Sequence, residues 1–398
     1  MSEKELKPNI RFEGFKEQWK VYKLGDIAEL INGRAYKQSE LLETGKYKVL
    51  RVGNFYTNDD WYYSDLELAE KYYASPEDLL YTWSASFGPH IWNGDKVIYH
   101  YHIWKVDLSN KLEKLFAVSL LEYDKTNILS DSNGSTMIHI TKASLENKAF
   151  SIPKIKEQKL LGSFFEEIKV NINKREQELH TLNKFKQAML QKMFPKEGET
   201  VPEVRFEEFE DEYINVKFDD VATIRRGASP RPIDSPIWFD DKSDVGWLRI
   251  SDVTSQNGRI RNLEQKLSTK GQEKTVVLEE EHLLLSIAAT VGKPLINYLK
   301  TGVHDGFIVF FNPHFDLNYM FYFLEYFRPS WNKFGQPGSQ VNINSELVKN
   351  LDISLPNIKE QKLIGEYFYK LDQNIQSKQA ELDKLKQFKQ AMLDKMFV

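Results

Sequence analysis

The chain has 398 residues, 54 Lys and Arg against 58 Asp and Glu, and no cysteine. At roughly 150 residues per domain the length suggests two or three domains, and the missing thiols exclude disulfides, thiolate zinc sites, iron–sulfur clusters and a thiol nucleophile. No run approaches the roughly 18 apolar residues of a membrane helix, the N-terminus is polar and of mixed charge, unlike a signal peptide, and the net charge of −4 argues at first sight against a nucleic-acid partner. A cytoplasmic location is the expectation.

In chain order, residues 49–55 and 97–106 read as strands, rich in β-branched and aromatic side chains, with a short helix expected at 65–71. Turns are expected at Asn32-Gly33, Asn93-Gly94 and Asn133-Gly134. Behind Pro153 a 4-3-4-3 apolar spacing begins, with Phe165, Ile168, Ile172, Leu179 and Leu182 on one seam, ending at Pro195. Residues 198–213 carry seven acids and one Arg and read as an exposed connector. Strands are expected at 247–253 and 306–311, a turn at Asn257-Gly258 and a short helix at 318–327. A second seam, Phe368, Leu371, Ile375, Leu382 and Leu385, follows Pro356.

The two long helices are copies. Residues 153–194 align without a gap on 356–397, with about 23 of 42 positions identical; IKEQKL at 155–160 returns at 358–363, and FKQAML at 185–190 returns at 388–393. The remainder repeats more faintly and in order: PNIRFEGF at 8–15 with PEVRFEEF at 202–209, LGDIA at 24–28 with FDDVA at 218–222, and LLYTWSASFG at 79–88 with LLLSIAATVG at 283–292. The chain is one unit of about 200 residues written twice. The expected fold is α+β. It has a first domain at 1–152, a helix at 153–195, a connector at 196–213, a second domain at 214–355 and a helix at 356–398.

A helix of about 36 residues is roughly 54 Å long and cannot bury its seam on its own small domain, so the economical partner is the other helix. Arg175 and Lys378 share one seam position; they either fix the register or reach out at the rim. Gly162 and Gly365 mark either close backbone approach or a tolerated defect.

A search for catalytic chemistry finds little. There is no GxxxxGK[ST], GxGxxG, HExxH or GxSxG, and His100-x-His102 lacks a third metal ligand. A nuclease site at Asp240, Asp241 and Lys242 competes with a solvated loop, and Asn312-Pro313-His314-Phe315 is only a near miss to an aminomethyltransferase loop. A binding function is favoured. Two diverged domains on paired rods suit a linear repeating partner such as duplex DNA. By region, the net charge is about −3 for 20–150, −1 for 214–352, +4 for 154–197, +2 for 357–398 and −6 for the connector. DNA contact then rests on local clusters: Arg34, Lys37, Lys46, Lys48 and Arg51 in the first domain, and Arg225, Arg226, Arg231, Arg249, Arg259 and Arg261 in the second, with Gln340 a candidate adenine reader.

These residues resemble the specificity subunit of type I restriction–modification systems. The resemblance rests on the paired helix openings at 152–161 and 353–364 and on IRRGA at 224–228, AATVG at 288–292, VHDGFI at 303–308 and GSQVNI at 338–343. The first domain matches more loosely. The resemblance implies two pseudo-symmetric α/β target-recognition domains separated by two long antiparallel coiled-coil helices. Each domain would read half of a bipartite, asymmetric double-stranded DNA site, with helix length setting the unread gap. It implies two modification subunits that carry S-adenosylmethionine and methylate adenine, and restriction subunits that use ATP and Mg. The specificity subunit itself would hold no cofactor and have no catalytic residue. The alternatives are a metal-dependent nuclease acting alone and a coiled-coil adaptor without a DNA role.

Overall fold

The computed structural model describes residues 6–56, 58–84, 86–131, 140–288, 290–334 and 343–398. Two compact units emerge, Met1–Gln177 with Ala380–Val398, and Glu178–Gln379. The long helices therefore contribute to both units.

In the first unit the strands are β1 (Lys20–Lys23), β2 (Ala28–Asn32), β3 (Tyr47–Leu50), β4 (Tyr62–Ser64), β5 (Tyr73–Ala74), β6 (Leu79–Thr82), β7 (Gly88–Ile91), β8 (Val97–Tyr99) and β9 (Ile103–Leu108). Helices α1 (Lys114–Asp131) and α2 (Lys142–Glu146), then β10 (Ala149–Ile152), lead into α3 (Ile155–Lys192). Two four-stranded sheets form, ordered β2-β9-β6-β7 and β4-β3-β8-β5, while β10 returns antiparallel to β1.

The second unit repeats this plan. It holds β11 (Ile214–Lys217), α4 (Phe218–Val221), β12 (Thr223–Arg226), β13 (Gly246–Leu248), α5 (Ile250–Ser255), β14 (Arg259–Ile260), α6 (Thr269–Gln272), β15 (Val276–Leu278), β16 (Leu283–Ser286), β17 (Pro294–Asn297), β18 (Thr301–Val303) and β19 (Phe307–Phe311). Then come α7 (Leu317–Phe327), α8 (Ser345–Lys349), β20 (Asp352–Leu355) and α9 (Ile358–Met396). Here the larger sheet has five strands, β12-β19-β16-β17-β14, and the smaller is β13-β18-β15.

The duplicated helix opening locks each long helix to its domain. Glu157 takes a two-pronged ion pair from Arg11 (2.6 and 2.7 Å), and Glu360 takes one from Arg205 (2.8 and 2.8 Å) plus the Tyr213 hydroxyl at 3.0 Å. The neighbouring glutamine caps the domain's own helix: Gln158 Oε1 accepts Glu113 N–H, and Gln361 Oε1 accepts Asp316 N–H. One turn later, a Cβ on Gly162 would lie 2.6 Å from the Phe116 nitrogen, and one on Gly365 would lie 2.6 Å from the Tyr319 nitrogen. Close backbone approach is thus the reason for both glycines.

Each core is completed by the end of a long helix. In the first unit Phe165 packs at 5.6 Å from Phe397, which also meets Phe116 and Trp19. In the second, Leu190, Met193 and Phe194 join Phe368, Tyr319 and Tyr322. Phe165, Ile168, Ile172, Phe368 and Leu382 are buried, whereas Leu179, Leu182, Leu371, Ile375 and Leu385 are half-buried. Ion pairs flank the seam in antiparallel order: Arg175–Glu381 at 2.6 Å and Glu176–Lys386 at 2.6 Å in the first unit, Lys186–Asp372 at 2.5 Å and Glu178–Lys378 at 3.6 Å in the second. The Arg175 and Lys378 side chains are 40% and 35% exposed, which resolves their seam position as rim pairing.

Several expectations are corrected. Residues 65–71 are not a helix; only a 3-10 turn follows at Glu70–Tyr72. The strands expected at 49–55 and 247–253 stop at Leu50 and Leu248 and turn into helical segments at Val52–Phe55 and Ile250–Ser255. Helix α1 escapes sequence reading because Phe116, Ala117, Val118, Leu120 and Leu121 are all buried, leaving no polar face and no 3.6-residue period. The connector is docked rather than free. Tyr213 is buried, Arg205 binds Glu360, Glu203 pairs with Lys192 at 2.6 Å, and Val204 N–H bonds the Lys192 carbonyl at 2.9 Å. In the first unit the equivalent segment docks alike, Ile10 N–H bonding the Lys395 carbonyl at 2.9 Å. Residues 133, 134 and 338–340 lie outside the described residues, and Gln340 with them.

Candidate nucleic-acid interface

In both units the first strand of one main sheet, β2 or β12, is followed by a glycine that meets a histidine turn. Gly33 follows β2, and a Cβ there would lie 2.3 Å from the His100 carbonyl oxygen; Gly227 follows β12, and its Cβ would lie 2.3 Å from that of His304. Only glycine allows this approach. Backbone bonds fasten the loops together: Arg34 N–H to Tyr99 O and Tyr101 N–H to Arg34 O, each 3.1 Å; Ala228 N–H to Val303 O, 3.0 Å. Each histidine closes its own turn, since His100 Nδ1 accepts His102 N–H at 3.4 Å and His304 Nδ1 accepts Gly306 N–H at 2.8 Å. Burial lowers the pKa of both imidazoles, that of His100 to about 4.

On this shared frame the side chains differ. The first domain is aromatic. Trp83 lies edge-on to His102 at 4.9 Å, Tyr36 stacks on His100 at 6.4 Å, and Trp83 Nε1–H bonds the Tyr101 carbonyl at 2.9 Å. Its cations are largely engaged. Arg34 is gripped by Glu40 through both Nη atoms (3.0 and 2.7 Å) and lies over Tyr36; the Arg34 guanidinium holds the Glu40 carboxyl at about 2. Lys46 pairs with Glu67 over Tyr47, Lys48 lies over Trp61 at 5.2 Å, and Arg51 lies over Tyr62 at 4.2 Å. Lys37 is exposed.

The second domain is charged. Arg225 and Arg226 are exposed on the edge strand β12, Arg225 over the Phe311 ring at 5.7 Å and Arg226 Nε bonding the Asp305 carbonyl at 2.5 Å. Arg231 Nη2 bonds Asp305 Oδ2 at 2.7 Å, and Ser229 Oγ donates to Asp305 Oδ1 at 3.0 Å. Arg249 is held by Asp252 at 3.2 Å beside a cavity of about 700 Å³ lined by Trp247, Phe239, Asp241 and His304.

Arg259 and Arg261 do not belong to this group. Strands β12 and β14 are opposite edges of one sheet. Arg259 is buried, bonding the Tyr298 hydroxyl at 2.7 Å and Asn318 at 2.6 Å and lying 4.1 Å from the Phe321 ring. Arg261 covers Tyr298 at 4.0 Å and bonds the Tyr369 hydroxyl at 3.2 Å. Both side chains converge on Tyr298 and on Tyr369 of α9, and Arg259 also packs on α7, so Arg259 is corrected to a packing role. Asp305, Ser229 and Trp83 lie beside these cations and the histidine turns without a sequence expectation of their own; only Asp305 falls in a motif that carries the resemblance, VHDGFI at 303–308.

As for an enzyme, Asp240 Oδ1 accepts Lys242 N–H at 3.0 Å in a tight turn. Among the described residues no group of three or more His, Asp or Glu is arranged to hold a metal, and no helix is long and apolar enough to cross a membrane.

The chain as a whole is similar to known proteins. The family model described as the type I restriction modification DNA specificity domain matches twice, at residues 16–184 and 210–387. The chain belongs to this family, whose role is DNA sequence specificity rather than catalysis. Among curated proteins it is 24% identical over 396 residues to the type I restriction enzyme MjaVIII specificity subunit of Methanocaldococcus jannaschii, covering 95% of this chain and 92% of that one. It is 23% identical over 181 residues to the EcoBI specificity subunit of Escherichia coli, covering 44% and 38%. The fold is similar to the crystal structure of a type I restriction–modification S subunit from M. genitalium, with TM-score 0.60 and 13% identity over 98% of this chain and 99% of that one. It is also similar to a chain from a structure addressing complex assembly and conformational transition of the type I R-M system, with TM-score 0.57 and 17% identity over 95% and 97%.

Proposed function

We propose that the chain reads an asymmetric, bipartite DNA site, the first domain (1–152) recognising one half and the second (214–355) the other. Helices α3 and α9 would set the unread gap and dock two modification subunits that supply S-adenosylmethionine and methylate adenine; restriction subunits would add ATP- and Mg-dependent cleavage. The observation that carries this reading is the pair of loop sites, built on the same Gly–His frame but faced with different side chains. A shared frame gives both domains one way to approach a duplex, and different faces give two different half-sites.

In the first domain the contacts would come from Arg34, Lys37, Lys46, Lys48 and Arg51, and in the second from Arg225, Arg226, Arg231 and Arg249. Both domains are near neutral overall, and counterion release by few free cations gives weak binding. Tight binding would therefore need the modification subunits. Co-expression with the cognate modification subunit, followed by sequencing of methylated adenines, tests the reading. The expected result is one bipartite motif with unlike halves; methylation without a bipartite motif contradicts it.

A further inference from the structure

We propose that Arg231, held in place by Asp305, reads a guanine in the half-site bound by the second domain, and that Asp305 is its positioning residue. This rests on the DNA-reading role proposed above. The four arginines near this loop end are not equivalent. Arg226 spends its Nε on a backbone carbonyl, Arg249 is held by Asp252, and Arg225 lies over Phe311. Arg231 is the most exposed of the ion-paired ones, with 69% of its side chain accessible, and it meets Asp305 through Nη2 at 2.7 Å.

Asp305 is itself fixed by the segment that ends β12 and follows it. Its Oδ1 accepts from Ser229 Oγ at 3.0 Å, its N–H donates to the same oxygen at 3.1 Å, and its carbonyl accepts from Arg226. A guanidinium tethered at one corner keeps its remaining donors in one plane at little cost in rotamer freedom. Guanine O6 and N7 offer the matching pair of acceptors in the major groove. The carboxylate also decides against a phosphate as target, because Asp305 is itself 26% exposed beside the guanidinium and repels a second anion.

The first domain lacks this device. Aligning the two Gly–His turns puts Tyr101 where the second domain has Asp305, and both Nη atoms of Arg34 are taken by Glu40. The guanine contact is thus assigned to one half-site only.

The test compares methylation motifs from cells expressing the cognate modification subunit with wild-type chain, Arg231→Ala, Arg231→Lys, Asp305→Ala or Asp305→Asn. In the wild-type motif one half-site holds a G·C pair that Arg231→Ala relaxes by roughly 10- to 100-fold in preference, with every other position and the other half-site unchanged. Arg231→Lys does not restore it, because an ammonium lacks the planar fork. Asp305→Ala and Asp305→Asn weaken preference at that same pair and nowhere else. An even fall of methylation over all sites, a change at a different pair for the two residues, or no change overturns the assignment. If a variant abolishes methylation, thermal melting of the purified chain decides: unchanged melting counts against a single-pair reader, and for an unfolded variant Arg231→Lys and Asp305→Asn carry the comparison. A wild-type chain that yields no bipartite motif fails the function itself; a bipartite motif indifferent to both residues fails this inference alone.

Discussion

The loop ends of the two domains share their backbone and differ in nearly everything attached to it. Gly33 and Gly227 are each pressed against a histidine carbonyl, and each histidine closes its turn through Nδ1. Yet Trp83, Tyr101 and His102 fill the first site, and Arg226, Arg231 and Asp305 the second. Where the helix openings are concerned, the units are nearly superposable in chemistry: Glu157 with Arg11, Glu360 with Arg205, Gln158 and Gln361 as caps. On the function proposed above, duplication followed by divergence at the loop ends would give one shared scaffold two different specificities. The one extra strand of the second domain's larger sheet, β14, lies at the edge opposite β12, away from the Gly–His turn.

The comparison breaks most easily at the shared frame. Truncating Glu360, which is buried, leaves the largely buried Arg205 without its carboxylate, and breaking a buried pair costs about 3–5 kcal/mol. Glu360→Ala is therefore expected to lower the urea midpoint strongly. Glu157→Ala should follow with a somewhat smaller loss, because Glu360 also holds the Tyr213 hydroxyl. A negligible loss at either residue would show that the openings are not structural locks. Next, Gly162→Ala and Gly365→Ala should each cost about 1–3 kcal/mol by overpacking against a helix N-terminus; unequal costs in the same unfolding measurement would mean the frames are not alike.

The divergent faces give smaller effects on binding. Arg225→Ala with Arg226→Ala should reduce the slope of log affinity against log salt by up to about 2 for the assembled complex. Arg34→Ala should reduce it by less than about 1, since Glu40 already neutralises that guanidinium. Equal slopes would dissolve the distinction between an aromatic and a charged site. The smallest effect is on acid stability. Burial holds the His100 and His304 pKa values below the ordinary 6.5. In the unfolded chain these groups take up protons first, so their contribution is full above about pH 6.5 and is lost as pH falls towards the folded value, about 4 for His100. His100→Asn should flatten the loss of stability between pH 7 and 5, and His304→Asn should do so less; an unchanged slope for both would remove the histidines from the frame's pH response.

Much of this was legible in the amino-acid order. The seam from Phe165 to Leu182 and its copy from Phe368 to Leu385 announce long helices because their polar faces are exposed and the 3.6-residue period survives. The repeat of Gly162 at Gly365 pointed to a common constraint, which proves to be backbone approach. What was not legible depended on distant partners. Residues 198–213 look like a solvated acidic run, but Arg205 and Tyr213 are fastened to Glu360, some 150 residues away in sequence. Arg259 looks like its neighbours in any count of cations, and only the sheet order separates it from Arg225. Asp305 sits in the VHDGFI motif, but the convergence of Ser229 and Arg231 on its carboxylate depends on residues about 75 positions away.

The most direct test of a frame that carries two independent readers is to lengthen it. Four residues inserted in each long helix, between Gln177 and Glu178 and between Gln379 and Ala380, add about 6 Å at 1.5 Å per residue. With the cognate modification subunit present, methylated-adenine sequencing is expected to return both half-sites unaltered and a gap longer by about one or two base pairs, at roughly 3.4 Å each. Altered half-sites, or an unaltered gap with full activity, would contradict it.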